Sequence, residues 1–142
     1  MSVWKTIVVG VDGSPPSRAA LSWAAAEAAD HQSDLVVVSV WEPGLIPPSG
    51  NPSVGHTAMR TSESAAEDLV AVIREELGAE PPVPVQPRVL QGNPAKVLIE
   101  TSADADLLVV GTRGHGGFKG LILGSVSHHV ASYAKCAVTV VR

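Results

Sequence analysis

The chain has 142 residues, of which 45% are hydrophobic and 17% charged, and these proportions indicate a globular rather than a disordered protein. Its formal net charge of −4 argues against nucleic acid as a partner, since nucleic-acid binders present a basic face. No run of 18 apolar residues is present, so no membrane partner is predicted, and a single cysteine, Cys136, excludes an intramolecular disulfide. We expect one domain over residues 1–142 and, because the start lacks the pattern of a secretory leader, a cytoplasmic location.

The first half of the chain alternates between strand-like and helix-like segments. Residues 6–11 (TIVVGV) are predicted to form a buried strand. Ser14 is placed to cap a helix that begins at Pro15 and runs to about His31. A second strand is predicted over residues 35–40, followed over residues 43–55 by a loop with four prolines and three glycines.

The second half continues the same alternation. A helix with an apolar stripe at helical spacing is predicted to begin near Thr61 and to end at Gly78. The third strand, residues 83–90, contains Pro84 and Pro87, and since proline has no N–H to donate, we expect this strand at an edge of the sheet. The remaining predicted elements are a short helix over 93–102, a strand over 106–111, a helix over 125–135 and a strand over Ala137–Val141.

Three of these strands, residues 6–11, 35–40 and 106–111, are nearly continuous apolar runs. Such runs are typical of parallel strands that helices bury on both faces. With right-handed crossovers, the pattern predicts an α/β protein with a doubly wound, Rossmann-like, five-stranded parallel sheet in the order 3-2-1-4-5 and helices on both faces. Ligands of such sheets bind beyond the carboxyl ends of the strands where the strand order reverses, which is here between strands 1 and 4.

A glycine-rich stretch follows the fourth strand at this position. Residues 111–125 (GTRGHGGFKGLILGS) contain six glycines, and they match neither the P-loop pattern GxxxxGK[ST] nor the dinucleotide pattern GxGxxG. Gly111 is interpreted as a position where a flat group approaches the backbone, while Gly114, Gly116 and Gly117 permit the positive φ that turns backbone N–H groups toward an anion. Gly124 and Ser125 open a helix with free N–H groups, so the stretch predicts two anion sites in one crevice, which suits a polyphosphate.

The spacing G-x2-G-x9-G-S, the opening IVVGVDGS, the segment DLLVVGTRGHGGFKGLILGSVS and the terminal VTVVR resemble the ATP-binding branch of the universal stress protein family. The resemblance covers essentially the whole chain. One departure is Cys136-Ala137-Val138, where the family commonly has Cys-Pro-Val. The resemblance implies a homodimer through the C-terminal strand Ala137–Val141, and an apolar edge strand is normally covered or paired.

The resemblance also implies ATP as the ligand, held together with Mg²⁺ or Mn²⁺. Asp12 is expected to face the ribose or a phosphate-bound cation, which would make it an indirect metal contact, and Val40 is expected to meet adenine. No catalytic residue is predicted. The predicted cofactor-binding residues are Gly10, Asp12, Val40, Gly111, Arg113, Gly114, His115, Gly117, Gly124, Ser125, Val126 and Ser127.

Three functions stay open at this point. The first is a nucleotide-dependent regulatory module of the stress response that binds ATP. The second is a slow ATPase or phosphotransferase, although phosphoryl transfer needs a positioned base that the sequence does not reveal. The third is an ATP-independent dimeric interaction protein, or a related binder of AMP or cyclic AMP. The sequence names neither a protein partner nor the inducing stress.

Overall fold

The computed structural model describes residues 4–42, 61–112 and 124–142. Their strands form one parallel sheet in the order β3-β2-β1-β4-β5, which confirms the predicted order. The strands are β1 (Thr6–Gly10), β2 (Asp34–Trp41), β3 (Val85–Gln91), β4 (Leu107–Gly111) and β5 (Ala137–Val141). As the two prolines predicted, β3 lies at an edge, and β5 forms the opposite edge.

Helices cover both faces of this sheet. The described helices are α1 (Pro15–His31), α2 (Ser62–Leu77), α3 (Pro94–Ser102) and α4 (Ser125–Tyr133). Side-chain caps explain where three of them begin: the side chains of Ser14, Thr61 and Asn93 accept hydrogen bonds from first-turn N–H groups of α1, α2 and α3. None of the described helices combines the length and the apolar character needed to cross a membrane.

Alternation along the central strands divides the core into two layers. Ile7 and Val9 of β1 pack with α1 and α2, whereas Val8, between them, packs with α3 and α4. The same alternation in β2 sends Val37 to the α1/α2 layer and Val38 to the α3/α4 layer. The central strands are therefore buried on both faces, as their continuous apolar sequence predicted.

Two element boundaries lie two residues from their predicted positions, and the other boundaries agree to within one residue. β3 begins at Val85 rather than at residue 83. The last helix ends at Tyr133 rather than at residue 135, because Ala134 has extended backbone angles and the N–H of Lys135 donates to Ser102 Oγ over 2.8 Å. Ser102 is completely buried, so this bond fixes the end of α4 to the end of α3 before β5 begins.

Candidate functional site

The carboxyl ends of β1 and β4 lie side by side, since these two strands are neighbours in the sheet. The strand order reverses between them, and this is the position at which open α/β sheets bind ligands. Gly10 ends β1 and the exposed Asp12 stands two positions later, while Gly111 ends β4 and is followed by Thr112. The fold thus brings the predicted residues Gly10, Asp12 and Gly111 to one edge of the sheet.

A tight turn fixes Asp12 at this edge. Its Oδ1 accepts hydrogen bonds from the backbone N–H of Ser14, over 2.9 Å, and from the Ser14 hydroxyl. Its own N–H donates to Ser17 Oγ over 3.2 Å. The turn needs glycine at position 13, where φ is +84°. Asp12 therefore holds Ser14, the N-cap residue of α1, in place while Asp12 itself stays exposed at the mouth of the crevice.

Arg18 also supports this turn, a role that was not predicted from the sequence. Its Nε donates to the carbonyl of Gly13 over 3.0 Å, and its Nη1 lies 2.7 Å from Glu75 Oε2 and 3.4 Å from Glu76 Oε1 on α2. The hydrogen bond to Glu75 is the main cause that raises the pKa of Arg18 above its ordinary value. No local pattern could have revealed this residue, because its acidic partners lie more than 50 positions away.

Packing requires glycine at the end of β4 and is close at the glycine that ends β1. A β-carbon at Gly111 would stand 2.6 Å from the carbonyl carbon and oxygen of Pro16, so β4 and the first turn of α1 meet backbone to backbone. At Gly10 a β-carbon would stand 2.9 Å from Cδ1 of Leu98 on α3. The close approach at Gly111 is thus made by α1, which the sequence did not indicate, and its contact with a ligand stays a prediction.

Thr112 joins the end of β4 to the start of α4. Its carbonyl accepts hydrogen bonds from the N–H of Gly124 and, over 2.8 Å, from the hydroxyl of Ser127. Its N–H donates to the carbonyl of Val141 on β5 over 2.9 Å. Ser127 is only 3% exposed, so the structure places this predicted ligand contact inside the first turn of the helix as an anchor.

The amino end of α4 projects from this anchor toward the edge of the sheet. Gly124 is its N-cap and provides no side-chain hydrogen bond. The first-turn N–H groups of a helix have no intrahelical acceptors, and the positive end of the helix dipole lies there. Ser125 is exposed, and Val126 is partly buried against the α3/α4 layer. The first turn therefore offers backbone N–H donors and the exposed hydroxyl of Ser125.

Val40, the predicted adenine contact, is partly buried near the carboxyl end of β2 and packs with the α3/α4 layer. Gly10 faces the same layer, because a β-carbon there would meet Leu98. The predicted contacts Arg113, Gly114, His115 and Gly117 lie outside the described residues, as does the predicted loop over residues 43–55. Within the described ranges, no cluster of three or more histidine, cysteine, aspartate or glutamate side chains could hold a metal ion.

A cavity of about 610 Å³ lies away from the carboxyl ends of the central strands. Its walls come from the end of α2, including Val70 and Ile73, and from the start of β3, including Pro84 and Pro87. It sits at the amino end of an edge strand, whereas the ligand position of this fold is at the carboxyl ends of the central strands. The cavity is therefore separate from the candidate site.

The sequence model of the universal stress protein family matches residues 4–142. The chain belongs to the universal stress protein family. Among its curated relatives, a universal stress protein of Mycolicibacterium smegmatis is 41% identical over 141 residues, which are 96% of this chain and 45% of that protein. A universal stress protein of Thermus aquaticus is 37% identical over 144 residues, which cover 99% of this chain and all of that protein. The chain thus spans slightly under half the length of the mycobacterial relatives and the full length of the Thermus relative.

Solved structures of universal stress proteins share the fold. UspA from Lactobacillus plantarum superposes with a TM-score of 0.75 at 23% identity, covering 97% of both chains. A universal stress protein in complex with cAMP has a TM-score of 0.67 and 29% identity, covering 99% of this chain and 98% of that one. The first likeness shows the doubly wound architecture, and the second comes from a family member that holds a nucleotide.

Proposed function

We propose that this universal stress protein binds an adenine nucleotide, ATP together with Mg²⁺ or Mn²⁺, at the carboxyl ends of β1 and β4, and that it acts as a nucleotide-dependent regulatory module of the stress response. The observation that carries the proposal is the amino end of α4. It has no side-chain cap, and it is tied through Thr112 to the end of β4, beside the strand that delivers Asp12. The relative solved with cAMP supports a nucleotide as the class of ligand.

The start of α4 fits the phosphate groups. Backbone N–H groups of the first turn and the positive end of the helix dipole attract anions, and an exposed serine at the first helical position adds a hydroxyl donor. We assign Gly124, Ser125 and Val126 to the phosphates. Arg113, Gly114, His115 and Gly117 belong to the same proposal on the strength of the family signature alone.

Asp12 gives a physical reason for a divalent cation. A carboxylate at the mouth of the crevice repels phosphate oxygens unless a cation lies between them. Mg²⁺ commonly binds through one or two carboxylates together with the phosphates of its substrate, so it does not need a complete cage of protein ligands. This fits a site where the described residues offer one exposed carboxylate beside an anion-binding helix end.

The adenine ring is assigned to the side of the crevice that faces the α3/α4 layer. Gly10 and Val40 both face that layer, near the carboxyl ends of neighbouring strands. Leu98 occupies the space directly over Gly10, so Val40 is the residue of this pair that offers an apolar surface to a flat base. A homodimer through Ala137–Val141 completes the proposal, because β5 is an edge strand whose four last residues are partly exposed.

AMP or cyclic AMP is the second candidate ligand, favoured by the cAMP complex of the relative. ATP, AMP and cyclic AMP would share the adenine contacts, whereas the anion-binding start of α4 favours the longer phosphate chain of ATP. ATP hydrolysis is a separate question, because it requires a positioned base or water. A turnover assay beside an Asp12→Ala variant answers it: equal rates in the two proteins count against a true ATPase.

The deciding experiment begins with protein purified without added nucleotide. The protein is denatured, and released small molecules are identified by mass spectrometry. Nucleotide-free protein is then titrated calorimetrically with ATP, AMP and cyclic AMP, each with and without Mg²⁺. We expect ATP to be released or to bind with the highest affinity in the presence of Mg²⁺. Protein that is empty and binds none of the three would overturn the proposal and leave an ATP-independent interaction protein.

A further inference from the structure

The cavity of about 610 Å³ between the end of α2 and the start of β3 is lined by apolar side chains apart from one arginine. Its floor consists of Ile73, Val83 and Val85, which pack with the core layer under α1 and α2. Small-molecule sites are concave and mostly apolar with few polar groups, and the volume of this cavity lies within their range. The cavity shares no lining residue with the candidate nucleotide site, so any ligand that it holds is a separate one.

Four prolines form a rigid wall of this cavity: Pro81, Pro82, Pro84 and Pro87. They lie in the connection that follows α2 and in the first half of β3. Because the ring of each proline fixes its own φ, such a wall loses little conformational entropy when a ligand binds. The rings of proline-rich segments also pack well against aromatic surfaces. The wall therefore favours a flat aromatic ligand.

Val70 is placed differently from the other apolar residues of its helix. Leu69, Val72 and Ile73 are buried under α2, whereas Val70 is 46% exposed and lines the cavity. A ligand in the cavity would cover this side chain and remove apolar surface from water, which favours binding. Val70 thus forms the wall that α2 contributes.

Arg74 determines the charge of the ligand. Of the described residues that line the cavity, it is the one that is charged, and its side chain makes no ion pair or hydrogen bond within the described part of the chain. The two acidic residues that follow it, Glu75 and Glu76, are directed toward α1, where they bind Arg18. Arg74 lies in the last turn of α2, where a cation is favourable beside the negative end of the helix dipole, and its guanidinium keeps its donors for a ligand. The lining is therefore positive, which selects an anion.

We infer that this cavity binds a small aromatic monocarboxylate, with naphthylacetate as the model compound. The carboxylate accepts hydrogen bonds from the guanidinium of Arg74, whose parallel N–H groups match its two oxygens. The ring system lies over Ile73, between the proline wall and Val70. One negative charge matches the one guanidinium of the lining. The inference does not rest on the proposed nucleotide function.

The test is a titration of the nucleotide-free full chain with naphthylacetate, followed through the amide signals of an assigned NMR spectrum. Gly78, Val83 and Val85 line the cavity and have backbone N–H groups, so their signals report binding there. In the same spectra, Gly124 and Ser125 report on the start of α4. The comparison ligand is naphthylacetamide, which has the same ring system and nearly the same shape without the charge.

Two variants test the lining. Arg74→Gln removes the guanidinium at an exposed position of α2, and Arg88→Gln is its matched control, because Arg88 is exposed on β3 and does not line the cavity. Val70→Glu places a carboxylate in the wall, also at an exposed position, and should repel the ligand. Thermal unfolding establishes that each variant is folded.

We expect naphthylacetate to shift the signals of Gly78, Val83 and Val85 and to leave those of Gly124 and Ser125 in place. Arg74→Gln should lower the affinity about fivefold, the scale of a charge-assisted hydrogen bond that water partly screens. Val70→Glu should lower it at least as much, while Arg88→Gln leaves it unchanged. Naphthylacetamide should bind the parent protein no more tightly than naphthylacetate binds the Arg74→Gln variant.

Three results would each overturn the inference. The first is that the signals from the cavity do not shift, or that those of Gly124 and Ser125 shift instead, which would place the ligand at the start of α4. The second is that folded Arg74→Gln and Val70→Glu bind naphthylacetate as the parent does. The third is equal affinity for naphthylacetamide, which would show that charge is not recognised. A failure of ATP to bind would leave this titration unaffected, so the two proposals fail separately.

Discussion

Gly111 and Pro16 touch through their backbones: a β-carbon on Gly111 would stand 2.6 Å from the carbonyl carbon and oxygen of Pro16. The contact joins the carboxyl end of β4 to the first turn of α1, so it sets how closely these elements approach at the candidate site. Backbone atoms cannot rotate away as the end of a side chain can. The contact is therefore a rigid part of the frame at the carboxyl ends of β1 and β4.

This contact predicts that Gly111→Ala destabilises the protein by roughly 1–3 kcal/mol, as overpacking of a filled core does. Gly10→Ala is the matched control. Its new methyl group would meet the flexible end of Leu98 at 2.9 Å, and that side chain can turn aside. Urea unfolding of the two variants should show the larger loss at Gly111. Equal losses, or a larger loss at Gly10, would contradict the packing role assigned to Gly111.

Ser125 and Ser127 should separate ligand binding from stability. Ser127 is buried and donates to Thr112, so Ser127→Ala should lower the free energy of unfolding by about 1 kcal/mol, the typical contribution of one hydrogen bond. Ser125 is exposed at the first helical position, and Ser125→Ala should leave stability unchanged while weakening ATP binding. Chemical denaturation and calorimetric titration measure the two effects. If Ser125→Ala lowered the free energy of unfolding and still bound ATP normally, this division of roles would be excluded.

Asp12→Asn should alter the metal dependence of ATP binding and leave the fold intact. The amide oxygen of asparagine can still accept the two hydrogen bonds from Ser14 that hold the turn. With Mg²⁺ present, we expect about a tenfold loss of ATP affinity, the scale of one charge-assisted contact. Without metal, the affinity should not fall, because a carboxylate that repels phosphate has been removed. Titrations with and without Mg²⁺ check both parts, and an identical loss in the two series would exclude a cation at Asp12.

Val140→Pro tests the proposed homodimer. Val141 points its carbonyl at Thr112, so alternation of the strand directs the N–H of Val140 away from β4. Proline is tolerated in an edge strand where the missing N–H faces outward, yet it cannot donate to a second copy of β5. Light scattering over a range of concentrations should show a dimer for the parent and a monomer for the variant. A variant that dimerises as strongly as the parent would place the interface elsewhere.

Cys136 should react slowly as a thiol at neutral pH. Burial raises the pKa of its thiol, and the negative charge of Asp106 raises it further. Since the thiolate is the reactive form, the rate of reaction with an aromatic disulfide should reach half its maximum at a higher pH than it does for glutathione. Asp106→Asn should move that midpoint to lower pH while preserving an acceptor for the N–H groups of Lys5 and Thr6. A parent midpoint at or below that of glutathione would contradict the raised pKa.

Much of the fold follows from local sequence patterns. Continuous apolar runs predicted the buried central strands, and Pro84 and Pro87 predicted the edge position of β3, because both patterns depend on hydrogen bonding and burial along one segment. Serine and asparagine before proline marked the starts of α1 and α3 for the same reason. The family was also predicted correctly from its motifs.

The candidate site was predicted in position and only partly in detail. Gly10, Asp12, Gly111 and Gly124 lie where the order of the strands predicted, but the tie from Gly124 to Thr112 was not foreseen. The close approach at Gly111 was predicted for a ligand and is made by Pro16, 95 positions earlier in the chain. Contacts between residues so far apart leave no periodic trace in the sequence. The ligand contacts themselves stay predictions.

The bond from the N–H of Gly124 to the carbonyl of Thr112 has a consequence for how this protein can diversify. It holds the end of β4 against the start of α4 across the eleven positions 113–123, so the framework on either side is fastened independently of what those positions contain. Because the entropy of loop closure depends only weakly on loop length, substitutions, insertions or deletions there should change the free energy of folding only slightly. Evolution, or a protein engineer, can therefore exchange that segment without rebuilding the sheet.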